Sequence, residues 1–440
     1  MTGGDDSRPL AAARSALAPQ PVLVEAAGHT CVAWWHAPAP GCAQPLAVVL
    51  ASSWGEEDLA GYAAQRALAV ALAAAGLGTL RFEWPDTGDS SARTGVTTIA
   101  DALAAFDAAA RRALALSGRE RLAFVGRRLG ALLAAHAALA RQDVDALVAL
   151  EPVASGAAFV REQPRLAAAR PAPAIVPGAV VDPAELPVAL GGFTLPARQL
   201  EALAALRWPA AATTSVLEAL LVLPAGPGSR AAADALARLG VRVHEAVLGD
   251  ASAGEVVDWL RERAADDSVL QGVGAIDDFG VADAGNPVVH ARLAAARLEA
   301  ATTAVLSLAM ADAPVWMRLR ERGVALRERV VRIDDARGPV LAGVVSERDP
   351  AASGELAPPA RHAIVLLSPD GQRRIGPHRL WVPWARHRAA CGDVVLRLDA
   401  AGNGDSAPAG PPSPRGAGDV ARAVAWLRRE LGVIACTVVS

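Results

Sequence analysis

Between Pro45 and Pro152 short apolar runs alternate with longer amphipathic ones, and the short runs have no in-and-out pattern of their own. PLAVVLAS, GTLRFEW, RLAFVG and DALVALEP are the short runs; YAAQRALAVALAAAG, IADALAAFDAAARRALAL and LGALLAAHAALARQ lie between them. A strand that is apolar at every position must be covered on both faces, and helices spaced between such strands are what cover it. The expected class is α/β, with a mainly parallel sheet clothed by helices on both faces. After Glu151 the rhythm breaks and prolines crowd the stretch from Pro164 to Pro209, which reads as a lid insertion over about 153–215. VLEALLVLP, RAAADALARLG, VRVHEAVL and GEVVDWLRERA then restore two strand–helix units, and the first domain closes near Ala265.

An internal repeat constrains the chain further. The segment 48–90 aligns without gaps on 364–406, at a constant offset of 316 residues (364 minus 48). Leu50, Gly55, Gly76 and Arg81 fall on Leu366, Gly371, Gly392 and Arg397, and the triplet Gly88, Asp89, Ser90 falls on Gly404, Asp405, Ser406. DVARAVAWLRREL continues the second copy as a helix and VIACTVVS as a strand. The expected organisation is a flexible N-terminus over 1–19, a domain over 20–265, a connector over 266–328 with helical stretches such as VHARLAAARLEAATTAVLSLAM, and a truncated second module over 329–440. Its last strand is left at a sheet edge, where unpaired N–H and C=O groups invite self-association or docking on the connector.

Composition narrows the function. The formal charge is −3 at pH 7, so no basic excess points to nucleic acid. No run approaches the roughly 20 apolar residues of a membrane helix, and the N-terminus lacks the layout of a secretory signal. Cys31, Cys42, Cys391 and Cys436 are scattered without CxxC spacing, which predicts neither a metal site nor a disulfide framework and fits a reducing, cytoplasmic setting. No lysine occurs anywhere, which excludes Schiff-base chemistry, a pyridoxal phosphate anchor and a Walker-type lysine. No cofactor is expected.

One motif carries chemistry. In GRRLG, Gly126 and Gly130 stand four apart where a strand turns into a helix, the frame of a nucleophile elbow, but the central position is Arg128. Together with SSWG, LRFEWPDTGDSS, LGGFTLPARQLEALAALRW and VVDWL, this frame resembles the α/β-hydrolase superfamily. It is most similar to serine-aminopeptidase-like or lysophospholipase-like bacterial hydrolases, including those associated with exosortase systems. The resemblance spans most of 20–265 and again about 329–440. It implies a nucleophile at Arg128, an oxyanion hole from the backbone N–H groups of Trp54 and Leu129, an acid after ALLVL and a histidine after VHEAVL. The loop LPAGPGSRAAA contains no acid and LGDASAGEVVDWL no histidine. His136 and His244 lie within a helix and a strand instead.

Arginine is no nucleophile in water, because its guanidinium stays protonated. The sequence therefore reads as a degraded, tandem α/β-hydrolase-like protein that is catalytically inactive and acts in binding or as a scaffold. Arg127 and Arg128 either recognise an anion or mark a site released from selection, and a small acyl or anionic ligand fits the first case. Trp54 either lends its N–H to that pocket or simply packs over the sheet end. The alternative is a working ester, thioester or amide hydrolase with an unrecognised nucleophile, Ser52, Ser53 or Ser90.

Overall fold

The structure is a computed structural model. It describes residues 19–91, 97–167, 188–190, 193–195, 197–211, 218–223, 230–247, 252–265, 316–335, 338–353, 362–368, 372–408 and 416–440. The N-terminal segment before residue 19, much of the expected lid, residues 266–315 of the connector, and the loops around Pro224 and Ala251 lie outside the described residues.

The expected parallel sheet is present and has eight strands. A hairpin of β1 (Gln20–Ala26) and β2 (His29–His36) leads into β3 (Leu46–Ala51), β4 (Thr79–Phe82), β5 (Arg121–Arg127) and β6 (Val144–Leu150). The short hairpin β7 (Val188–Leu190) and β8 (Phe193–Leu195) stands apart, and β9 (Glu218–Leu223) and β10 (Arg242–Val247) return to the sheet. The order is β1-β2-β4-β3-β5-β6-β9-β10, antiparallel where β2 meets β1 and β4 and parallel elsewhere. Every residue of β3 is buried, as its uniform apolarity requires.

Helices α1 (Glu56–Ala74) and α7 (Ser252–Ala265) cover one face. Helices α2 (Ile99–Ser117), α3 (Leu129–Leu139) and α6 (Arg230–Arg238) cover the other, with α4 (Gly156–Ala167) and α5 (Ala197–Ala205) packed beside them. Helix α2 is bounded as a soluble helix should be: Thr98 and Asp101 form a reciprocal capping box, and Gly118 ends the helix in the left-handed region. Helix α1 starts six residues before the apolar periodicity at Tyr62, because Glu56, Glu57 and Asp58 place carboxylates at the positive end of its dipole.

A second, six-stranded sheet follows. Strands β11 (Met317–Glu321), β12 (Val324–Ile333) and β13 (Leu341–Arg348) form an antiparallel meander; β14 (His362–Leu367), β15 (Val394–Leu398) and β16 (Ala435–Val439) complete the order β11-β12-β13-β15-β14-β16. Strands β11 and β12 begin this sheet at Met317, inside the stretch read as connector up to 328. Helices α8 (Trp381–Ala390) and α9 (Ala417–Leu431) lie on its two faces. Among the described residues strand β16 pairs with β14 alone, and Ile434 and Val438 beside and within it are exposed. The connector helices expected to cover it lie outside the described residues.

The two sheets meet through buried charge. Arg374 has no solvent exposure and bridges Asp399 at 2.5 Å, Asp89 at 2.6 Å and Asp405 at 2.8 Å. Arg81 on β4 pairs with Asp405 at 2.8 Å, and Arg397 on β15 pairs with Asp89 and, at 3.1 Å, with Glu328. Arg386 holds Glu328 at 2.7 Å, while Arg373 pairs with Glu83 and stacks 3.5 Å over the ring of Tyr62, whose hydroxyl donates to Asp405 at 2.6 Å. Burial alone would raise the carboxyl of Asp89, yet Arg374 and Arg397 outweigh it and bring it down to about 2. Asp405 is held still lower by Arg81 and Arg374 against the same opposing effect of burial. Removing one member of such a buried pair strands its partner, at a cost of about 3–5 kcal/mol.

His36 sits at the margin of this network and accepts a hydrogen bond from Arg81 Nε at 3.0 Å through its Nε2, so it must be neutral there. Burial and the Arg81 charge push its imidazole down to about 3. Between about 6.5 and 3 the unfolded chain therefore binds a proton that the folded chain does not. The stability tied to His36 is complete above about 6.5 and is lost as pH falls, by about 1.4 kcal/mol per pH unit. Buried Glu83 and Asp399, whose carboxyls burial raises, act in the opposite sense. The comparison is therefore with His36→Gln, which keeps an acceptor for Arg81 without the titration: between pH 7 and 5 the wild-type melting temperature should fall more steeply than the variant's, and parallel curves would refute the assignment.

Candidate functional site at the turn after β5

The turn from β5 into α3 has the geometry that GRRLG predicts. Arg128 adopts φ 54° and ψ −119°, a strained conformation for a side chain of its size, and its N–H donates to Leu150 O at 2.9 Å. Both flanking glycines are required by close approach: a Cβ on Gly126 would collide with Gly130 O and Ala131 Cα, and one on Gly130 with Ser52 O. Leu129 begins α3, and Trp54 follows β3. The Trp54 ring meets Trp84 edge-on at 6.4 Å and packs against the core.

The apex is filled with charge. Arg128 reaches Glu57 through Nε at 3.3 Å and Nη2 at 3.4 Å, and Nη2 also donates to Glu162 on α4. Glu57 in turn accepts from Ser53 Oγ at 2.6 Å and from Gln163 Nε2 at 3.2 Å. Burial would depress the guanidinium, but Glu57 and Glu162 outweigh it and raise it above its ordinary value. Arg128 is thus a fixed cation with no capacity to act as a base. Arg127 points away and pairs with Glu151 at 2.9 Å. Glu57, Glu162 and Gln163 were not legible as members of this site: Glu57 reads as the start of a helix, and the other two belong to a segment separated from the elbow by a strand and a helix.

The other candidates are placed elsewhere. His136 bonds Arg207 O at 2.7 Å, and His244 on β10 faces Glu218 at 3.3 Å and Trp259. Ser90 Oγ accepts from Val32 N–H at 3.0 Å and donates to Glu83 O at 3.1 Å, the structural use of a hydroxyl after a turn. Ser52 is buried beside Asp58. A cavity of about 230 Å³ lies behind the elbow, between α1, the ends of β3, β5 and β6, and α7; Ser52, Ser53, Glu57, Asp58, Gln65, Arg127 and Glu151 supply its polar groups, so it shares Glu57 and Ser53 with the Arg128 cluster although Arg128 itself is not among its walls. Among the described residues no group of three or more His, Cys, Asp or Glu side chains could hold a metal ion, and no helix is long and apolar enough to cross a membrane.

No family model and no curated protein matches the sequence. Solved structures similar to part of the chain include Est1E from Butyrivibrio proteoclasticus with bound ferulic acid, at 18% identity, covering 55% of this chain and 97% of that one with a TM-score of 0.39. The esterase PF2001 of Pyrococcus furiosus is 13% identical over 60% of this chain and 95% of its own, TM-score 0.41. Epoxide hydrolase A from Mycobacterium thermoresistibile is 20% identical over 55% and 98%, TM-score 0.35.

The close contacts at Gly130 give a direct test of the turn. Gly130→Ala must push apart α3 and the end of β3, and should lose about 2–3 kcal/mol of stability, read as a lower urea midpoint at unchanged slope; an unaltered midpoint would show that the turn is looser than described.

Proposed function

We propose that this chain is an α/β-hydrolase-like protein of two related modules, without hydrolytic activity, that serves in binding or as a scaffold. The observation that carries the reading is the Arg128 apex. Where a hydrolase of this kind needs a nucleophile, a guanidinium is clamped by Glu57 and Glu162, and the carboxylate that could have served as a base is itself occupied by Ser53 and Gln163. Nucleophile, acid and base work as one unit, so the loss of the nucleophile alone removes about as much activity as the loss of all three. The division into a first module over 20–265 and a second, shorter one over about 316–440 is supported by the aligned repeat and by the matching strand connections in the two sheets.

Of the serines of the working-hydrolase alternative, Ser90 is committed to the β2 backbone and Glu83 O, while Ser53 donates to Glu57 and Ser52 lies against Asp58, both at the cavity. A ligand-binding variant of the scaffold reading rests on the cavity behind the elbow, which has mostly apolar walls and a few polar groups.

The expected outcome is that purified protein neither turns over p-nitrophenyl acetate above the buffer rate nor takes up a fluorophosphonate probe, and that Arg128→Ser alone leaves both results unchanged, since an unactivated serine is a poor nucleophile at neutral pH. Stoichiometric labelling of any serine in the wild-type chain would establish a catalytic centre and end this reading.

A further inference from the structure

The charged contact between the sheets is a set of exchanges between equivalent positions. Arg81 of the first module reaches Asp405 of the second, and Arg397, which aligns with Arg81, reaches Asp89, which aligns with Asp405. The turns that present the two aspartates are matched as well. Asp89 N–H donates to the Glu83 carboxylate at 2.7 Å, and Asp405 N–H donates to that of Asp399, the aligned residue, at 2.9 Å. Ser90 Oγ bridges Val32 N–H and Glu83 O, and Ser406 Oγ bridges Ala342 N–H at 2.8 Å and Asp399 O at 2.7 Å. Each face offers the other a cation and an anion in the arrangement it receives. That is the isologous relation of a twofold dimer, here between two parts of one chain.

Such a contact does not specify that both halves come from the same molecule. The modules are joined through residues 266–315, a length that when extended could reach beyond ~100 Å. We propose that the face centred on Arg81 and Asp89 also accepts the Arg397 and Asp405 face of a second copy of this chain, giving a module-exchanged dimer held by two contacts equivalent to the internal one. Charge complementarity selects this occupant: a partner without the same alternation of fully buried cation and anion would strand Asp89 or Arg81. A tethered module competes at an effective concentration of order millimolar, so the monomer prevails in dilute solution, and exchange requires concentrated refolding or a spoiled internal pair. The inference rests on the two-module division and not on the absence of catalysis; fluorophosphonate labelling bears on the latter alone.

The test uses full-length chains with two different tags. Arg81→Glu places like charges in one chain's internal contact, and Asp405→Asn removes the anion from another's; when the two are refolded together, the exchanged dimer sets the two substituted positions against each other at one contact, without the repulsion, and restores the wild-type pair at the other. Each variant alone should melt at least 5 °C below wild type. The mixture should contain a species of twice 45.0 kDa carrying both tags, and both substitutions in one chain should return a monomer that melts above the Arg81→Glu variant. Reversing a buried charge can block folding outright, so wild-type chains with the two tags are also refolded together across a concentration series. Native mass spectrometry should show mixed dimers that increase with concentration and decay on dilution. Wild-type refolding that yields only monomer at every concentration would overturn the proposal. So would variants that each fold as well as wild type and fail to combine.

Discussion

Arg374 is the residue on which the two halves of this molecule depend. Its guanidinium touches one aspartate from the first half of the chain and two from the second with no access to water, and a planar fork is the only common cationic side chain that can serve three carboxylates in fixed directions at once. A lysine ammonium would offer a point charge and lose that register. The chain contains no lysine, and its interior has been built accordingly: every cation in the charged layer is an arginine, and each donates to more than one acceptor or stacks on a ring. The layer replaces a hydrophobic interface, which would have been less demanding of position, with one that accepts a single alignment.

The elbow shows the same preference for fixed charge in a different setting. A residue at φ 54° costs energy, which in a hydrolase supports the exposure of a nucleophile. Here the residue at the strained turn is an arginine whose side chain is anchored by two carboxylates. Polar groups that would otherwise line an open pocket are turned onto each other. The cavity on the Arg127 side shares Glu57 with this cluster and holds the Arg127–Glu151 pair, so a charged ligand entering it would compete with ion pairs already made.

How far this was legible in the sequence depends on the kind of signal. Uniformly apolar strands such as LAVVLA and RLAFVG declare a doubly covered parallel sheet, and the glycines of GRRLG declare a turn, because in each case one local requirement leaves few alternatives. Strand β11 and the first half of β12 fell inside the stretch read as connector up to 328; MRLRE and VALRERVVRI alternate apolar and charged residues, and an antiparallel strand with a charged face resembles a surface segment when its partner is unknown. The GDS triplets were legible as a repeat. Their role was not, since the partner of Asp89 lies on Arg397, more than three hundred residues away, and no periodicity reports a pairing across modules. Glu57 and Glu162 escaped for the same reason.

Strand β16 gives the second module a graded interior. Residues of β14 and β15 are buried on both faces and hydrogen-bonded on both sides, while β16 has one neighbour and leaves Ala435, Thr437 and Val438 exposed. Local opening of β16 exposes little apolar surface and breaks one ladder, so its amides should trade hydrogen for deuterium through small fluctuations. Those of β15, tied to the charged layer through Arg397, should exchange only when the contact between the two sheets is lost. The order of exchange along this sheet would thus read out the strength of the arginine network itself, without any substitution in it.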